Sequence, residues 1–277
     1  YQRYYQIAIS SAWRAAKFKG MSGGRPFKEI ISRSKNTLRS RLFRQSSADL
    51  FHTARYCYQK GGGKVFFAID AADTSEIERP DLLHNSQVYF KSNYWPGKSY
   101  PVNVAPIVNG NGALNDKRIR HLYSLKNREK VHDLVFISRV WGGIEHNVRC
   151  FEALARVPGN NYLLAIFTPQ SSRASSHYEN EKAAARKRLE RIGIRCSSKP
   201  MALFDLWEKC SKAKVVFIRA GKHLCIPWRM LDLLAMGSVV VTDSIPYPIW
   251  PEPLVVGTHY CSVNIPRPAD TNPGPWE

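Results

Sequence analysis

AKVVFIRAGKHLCIPWRMLDLLAMGSVVVTD, residues 213–243, sets a short apolar run (Val215 to Ile218) ahead of Arg219-Ala220-Gly221; a loop to Pro227, a helix-length segment ending at Gly237 and a second apolar run from Val239 to Val241 follow. The order is strand, loop, helix, strand. Both runs are apolar on both faces and rich in β-branched residues, which fits a parallel sheet covered by helices. Pro227 suits the first helical position, where no amide hydrogen is required, and Gly237 suits the position just past the helix end, where a left-handed backbone costs glycine little. In such sheets ligands bind beyond the carboxyl ends of the strands, where helix amino termini present unpaired amide hydrogens and a partial positive charge. The loop 219–228 therefore faces that crevice and brings Gly221, Lys222 and His223 to it. Arg229 and Asp232 follow three residues apart on one helix face, with Met230, Leu233 and Leu234 toward the sheet. Cations beside a helix amino terminus oppose its dipole unless an anion is present, and a phosphate resolves the conflict. Arg229 is the partner for that phosphate and Asp232 the acid placed to grip ribose hydroxyls, although the spacing alone fits a local ion pair equally well.

Upstream, the pattern is regular from Val131. Leu134 to Ile137 reads as a strand, 138–143 as a loop, and 145–157 as a helix with Val148, Phe151, Leu154 and Ala155 on one side. Strand 162–167, helix 179–192, a short strand 194–196 and helix 203–210 lead into the stretch above, and 254–263 adds a last strand. This alternation predicts a Rossmann-like domain with right-handed crossovers. Ser138 and Arg139 stand at the carboxyl end of its first strand, with Gly142 and Gly143 opening the next helix. A small residue, an arginine and a glycine pair there let a diphosphate approach the backbone while Arg139 neutralises charge. The pattern lacks G-x-G-x-x-G, so a nicotinamide or flavin site is not supported.

The first half is read differently. Segments 2–19 and 28–58 have helical periodicity, the second ending at Gly61-Gly62-Gly63, which releases the chain into a strand, 64–70. Asp70 ends that strand and Asp73 follows it; either could act as general base for an acceptor hydroxyl, or form a strand-end turn. Segments 86–91 and 102–108 read as two further strands, on which Tyr89, Lys91 and Tyr94 supply packing and rim. The charged run 116–130 is the expected hinge, dividing a first domain (1–126) from a second (127–277). The fold class is α/β, two Rossmann-like domains, the first incomplete. The chain begins at Tyr1, without methionine, and reads as a fragment.

Composition sets outer limits. The 277 residues carry a net charge of +19, and residues 1–60 hold 13 Lys/Arg against Glu29 and Asp49 alone. This asymmetry permits an anionic membrane surface, nucleic acid or an acidic polymer as partner; no nucleic-acid motif accompanies it, and a solvated basic face accounts for it as well. The six cysteines are scattered without C-x-x-C spacing and read as free buried thiols of a reducing cytoplasm. No apolar run is long enough to span a bilayer, and the first residues lack signal-peptide form. The seven scattered tryptophans are expected in the core.

Against these residues a resemblance can be set. FISRVWGG (136–143) and IPWRMLDLLAMGSVVVTD (226–243) resemble the donor-binding domain of two-domain GT-B glycosyltransferases, nearest the exostosin-like and spore-coat-type members. Arg229, Asp232, Ala235 and Gly237 are in step with the family's R-x-x-E-A-x-A-x-G motif, Asp232 standing for the glutamate, and Leu224 occupies the position of a further glutamate found in many members. VFFAIDAADTS, QVYFKSNY and VNVAPIV resemble the segment that ends the acceptor domain. The resemblance implies transfer of a sugar from a nucleotide-sugar donor, UDP- or GDP-linked, to a glycan, lipid or protein hydroxyl. It implies no cofactor and no metal, in keeping with the absence of D-x-D.

Overall fold

The computed structural model describes residues 53–60, 63–108, 116–141, 143–168, 176–221, 224–243, 245 and 249–265. Its residues fall into two compact units, 53–119 with 249–253, and 120–245 with 254–265. The division lies within a helix, Asp116–Ser124, because the charged run expected as a hinge is helical over that span. The helices expected at 2–19 and in most of 28–58 lie outside the described residues.

Thr53–Lys60 (β1), placed by periodicity in a helix, is a strand. It pairs antiparallel with Gly63–Asp70 (β2), Lys60 facing Gly63. The Gly61-Gly62 pair between them is the sequence signature of a two-residue hairpin connection, a signal that helical spacing outweighed. Val88–Lys91 (β3) and Val104–Pro106 (β4) extend the sheet in parallel, giving the order β1-β2-β3-β4. A one-turn helix, Pro80–His84 (α1), crosses from β2 to β3. Ile249 donates its amide hydrogen to the Tyr94 carbonyl at 3.0 Å, so 249–253 rejoins this unit by a backbone bond.

The second unit begins within Asp116–Ser124 (α2). Its strands are His132–Arg139 (β5), Asn161–Ile166 (β6), Arg195–Ser197 (β7), Ala213–Ile218 (β8), Val239–Asp243 (β9) and Cys261–Val263 (β10). All pairs are parallel, in the order β7-β6-β5-β8-β9-β10. Counted from β5, this is the 3-2-1-4-5-6 arrangement of a Rossmann-like sheet, whose strand order reverses between β5 and β8. Helices Ile144–Ala155 (α3), Ser176–Arg191 (α4), Leu203–Ser211 (α5) and Arg229–Ala235 (α6) make the crossovers. Phe136, Phe151 and Phe217 form the aromatic centre of the core, their ring centroids 4.4 and 5.0 Å from Phe136. Ala155, expected on the buried side of α3, is exposed, one residue beyond Leu154 as the stripe turns away.

Helix α6 closes as its sequence directs. Gly237 has φ +68°, the Ser238 amide reaches the Leu233 carbonyl and the Gly237 amide that of Leu234, each at 3.0 Å. Its start differs from expectation: Pro227 lies two residues ahead, in a turn closed by Met230 N–H to the Pro227 carbonyl at 2.8 Å. Proline's fixed φ serves a turn entry as well as a first helical position. Among the described residues no helix is long and apolar enough to cross a membrane.

Candidate functional site

In a sheet of this order the crevice opens beyond the carboxyl ends of β5 and β8. Ser138 and Arg139 end β5. The Ser138 side chain is buried and turned into its own loop, 3.4 Å from Asn147 Oδ1, while Arg139 is exposed. Asn147 ties the loop shut, donating from Nδ2 to the Gly143 carbonyl at 3.0 Å. Gly143 has φ +68°, a left-handed geometry that favours glycine, and is the residue from which α3 springs. Gly142, Lys222 and His223 lie outside the described residues.

On the β8 side, Gly221 accepts from the Leu224 amide and donates to the Cys225 carbonyl, both at 3.0 Å. A Cβ at Gly221 would come within 2.1 Å of Cys225 Sγ, so the close approach requires glycine. Leu224, the position of a glutamate in the resembled motif, holds φ +57°.

Arg229 is half-buried and donates from Nη1 to the carbonyl of Ile137 at 2.8 Å, fastening α6 to the end of β5. Burial lowers its pKa from the ordinary arginine value; Cys210 and Asp232 act upward, and the nearby charge of Arg139 lowers it further. Neither arginine makes an ion pair among the described residues. Asp232, 1% exposed, turns inward, and its Oδ2 accepts from the indole N–H of Trp207 at 3.0 Å. Arg229, Asp232, Trp207, Cys210 and Ile137 line a narrow gap with room for about one water, far smaller than a nucleotide. Burial pushes the Cys210 thiol up to about 12, with Arg229 opposing.

The arrangement thus brings Arg139 and Arg229 to one strand end and sets Asp232 behind them, against Trp207. Ala220, Asp243 and His146 belong to the same edge and were missed from sequence. Asp243 ends β9 and is 1% exposed. Its Oδ2 lies 2.8 Å from His146 Nε2, and its Oδ1 accepts from the Ala220 amide. The strand-end rule that singled out Arg139 applies equally to Asp243; nothing in the sequence marks His146, a lone histidine on an apolar helix face.

In the first unit, Asp70 is fully buried. It accepts from Tyr89 Oη at 2.8 Å, Lys91 Nζ at 3.0 Å and the Ala72 amide at 2.9 Å. Lys91, expected at a rim, is fully buried too, because the carboxylate beside it offsets its desolvation. Burial lowers the lysine's pKa while Asp70 raises it, and burial, then Asp70, push the Tyr89 phenol up. Asp73 is exposed, its carbonyl accepting from Asn93 Nδ2. Two of the tryptophans expected in the core, Trp141 and Trp228, are 49% and 40% exposed; each sits in a loop at the carboxyl edge of the second sheet, beyond the packed strands. Likewise Cys261, expected buried, is exposed on the edge strand β10, which is covered by a neighbour on one side only. Among the described residues no group of His, Cys, Asp and Glu is placed to hold a metal ion.

No family model and no curated protein matches the chain. Among solved structures it is similar to Anabaena Alr3699/HepE in complex with UDP and glucose, at 11% identity and TM-score 0.41, covering 69% of this chain and 53% of that one. A glycosyltransferase from Rickettsia africae ESF-5 is 12% identical, TM-score 0.40, with 69% and 52% covered. Sucrose-phosphate synthase (tll1590) from Thermosynechococcus elongatus is 15% identical, TM-score 0.42, with 70% and 49% covered. The chain spans about half the length of these proteins.

Proposed function

We propose that the second unit binds the diphosphate of a nucleotide-sugar and that the chain belongs to a glycosyltransferase of GT-B type, moving the sugar to an acceptor hydroxyl. One observation carries the reading: two arginines share the carboxyl end of β5 where the strand order reverses, and neither makes an ion pair among the described residues, Asp232 acting on Arg229 only through its charge while its Oδ2 accepts from Trp207. Like charges this close raise each other's energy, and an anion of two or more charges between them removes the cost. Arg139 and Arg229 would neutralise the diphosphate and stabilise it as the leaving group departs. Arg229 is held for this by the Ile137 carbonyl. Asp232, facing Trp207, would act on a ribose only after turning from the indole, so in this reading it first secures α6. Of the two acids considered for proton transfer, Asp73 is the exposed one and the better general base; Asp70 is enclosed by its donors.

The test is a thermal-shift titration with UDP, GDP and CDP, since a ligand that binds only the folded form raises its apparent stability, by about 2.7 kcal/mol at a hundredfold excess over Kd. One of the three is expected to stabilise the protein, with the effect lost in Arg229→Ala. A donor panel assayed for sugar transfer or hydrolysis then separates turnover from binding. No stabilisation by any diphosphate would refute the reading.

A further inference from the structure

Asp243 reaches two segments that lie 97 and 23 positions away in the chain, from a side chain 1% exposed. His146 is the third residue of α3, 1% exposed, and its Nε2 meets Asp243 Oδ2 at 2.8 Å. Ala220 is the second residue past β8, lies in the loop that leads to Arg229, and donates its amide hydrogen to Asp243 Oδ1. One carboxylate therefore ties the helix that follows the Arg139 loop to the loop that precedes Arg229, which are the two lips of the crevice where the strand order reverses. A carboxylate and an imidazole are costly to bury and contribute little to a core that an apolar pair would fill as well; what they add is a bond of fixed length and direction.

We propose that His146 and Asp243 are positioning residues: a buried brace that holds the two lips at one separation, so that Arg139 and Arg229 meet the same diphosphate. The proposal rests on the nucleotide-sugar reading above for the ligand, and on the hydrogen bonds alone for the brace. Neither residue touches the substrate. A diphosphate spans a fixed distance, and a displacement of ~1 Å in such a site can cost about a hundredfold in rate. Loss of the brace should therefore act on affinity and local order more than on global stability.

The test compares His146→Leu, which fills the space without the bond, with His146→Gln, whose side-chain amide nitrogen sits at the same reach and can still donate to Asp243. Hydrogen exchange is followed at the amides of Ala220 and of 161–166 in β6, and UDP, GDP and CDP are titrated in parallel. In His146→Leu, exchange at Ala220 is expected to rise about tenfold or more with β6 unchanged, since opening is local. The Kd of whichever diphosphate binds the unsubstituted protein should rise about tenfold or more. His146→Gln should restore both. Where the leucine variant does not fold, His146→Ala makes the same comparison. The proposal is overturned if Ala220 exchanges at the native rate in the leucine variant, if β6 accelerates equally, or if glutamine fails to rescue. Coupled exchange in a protein that binds none of the three diphosphates would uphold the brace and overturn the nucleotide reading.

Discussion

At the carboxyl end of β2, a carboxylate and an ammonium are buried together; at the carboxyl end of β5, two guanidinium groups are brought near each other, and neither makes an ion pair among the described residues. Asp70 and Lys91 are both fully buried, and a phenol and an amide complete the set of donors to the carboxylate. That pair is neutral as it stands and contributes rigidity to the first sheet. The Arg139 and Arg229 pair makes no ion pair among the described residues, and the carboxylate on the same helix, Asp232, acts on Arg229 through its charge while accepting from an indole. The difference teaches how to read charge at strand ends. A self-neutralised cluster supports the fold, whereas an uncompensated one of like sign marks a place for a counter-charge from outside.

The sharpest way to break the comparison is to unpair the first cluster. Lys91→Met leaves Asp70 buried without its cation and should cost about 3–5 kcal/mol in urea unfolding, with much of this recovered in the Asp70→Leu/Lys91→Met double variant, where no charge remains. A loss below about 1 kcal/mol would mean that water reaches the cluster, and the contrast with β5 would go.

Trp207→Phe probes the other side, because it keeps a ring in the core while removing the donor to Asp232. A hydrogen bond to a charged group contributes about 1.5–3 kcal/mol, and that loss is expected in the same assay. If instead stability is unchanged, Asp232 has turned to Arg229, and the second cluster is neutralised internally after all.

Gly221→Ala tests the loop between β8 and α6. Its Cβ would lie 2.1 Å from Cys225 Sγ, so overpacking of about 1–3 kcal/mol is expected. Adding Cys225→Ala should relieve it. Failure of the second substitution to compensate would show that the backbone of this loop, and not the sulfur contact, sets its shape.

How far the sequence could be read follows the same division. The second unit was legible because each of its longer elements has its own period and its own stop. β8, Gly237 and β9 follow directly from apolar runs and a left-handed glycine, and helix 179–192 lies within the observed 176–191 but for its last residue. β1 was not legible, since residues 53–60 have no clean alternation and acquire strand geometry from pairing with β2, a tertiary partner that local periodicity does not see. The placement of Arg139 and Arg229 was visible because a strand end and a helix start are local features. The contacts that decide their neighbours were not: Asp70 meets Lys91 across 21 positions, Asp232 meets Trp207 across 25, and Asp243 meets His146 across 97. Spacing suggested that Arg229 and Asp232 pair with each other, yet each finds a partner elsewhere, because the sheet edge and α5 present better-directed groups than the exposed i, i+3 geometry does.

The smallest expected change in stability is the most telling one. Arg139 is exposed, makes no ion pair among the described residues and disfavours the charge on Arg229, so Arg139→Ala should leave the unliganded protein within about 0.5 kcal/mol of the original, with any shift toward higher stability. If the proposed function holds, the same substitution should abolish or strongly reduce the rise in Tm expected with a nucleoside diphosphate, because the anion then meets one guanidinium instead of two. Raising the salt should narrow the gap between the two proteins in the presence of ligand, as ions screen an exposed arginine more than a half-buried one. A clear loss of stability in the unliganded variant would show that Arg139 is already neutralised within the chain, and the two strand ends would then differ only in the identity of their partners.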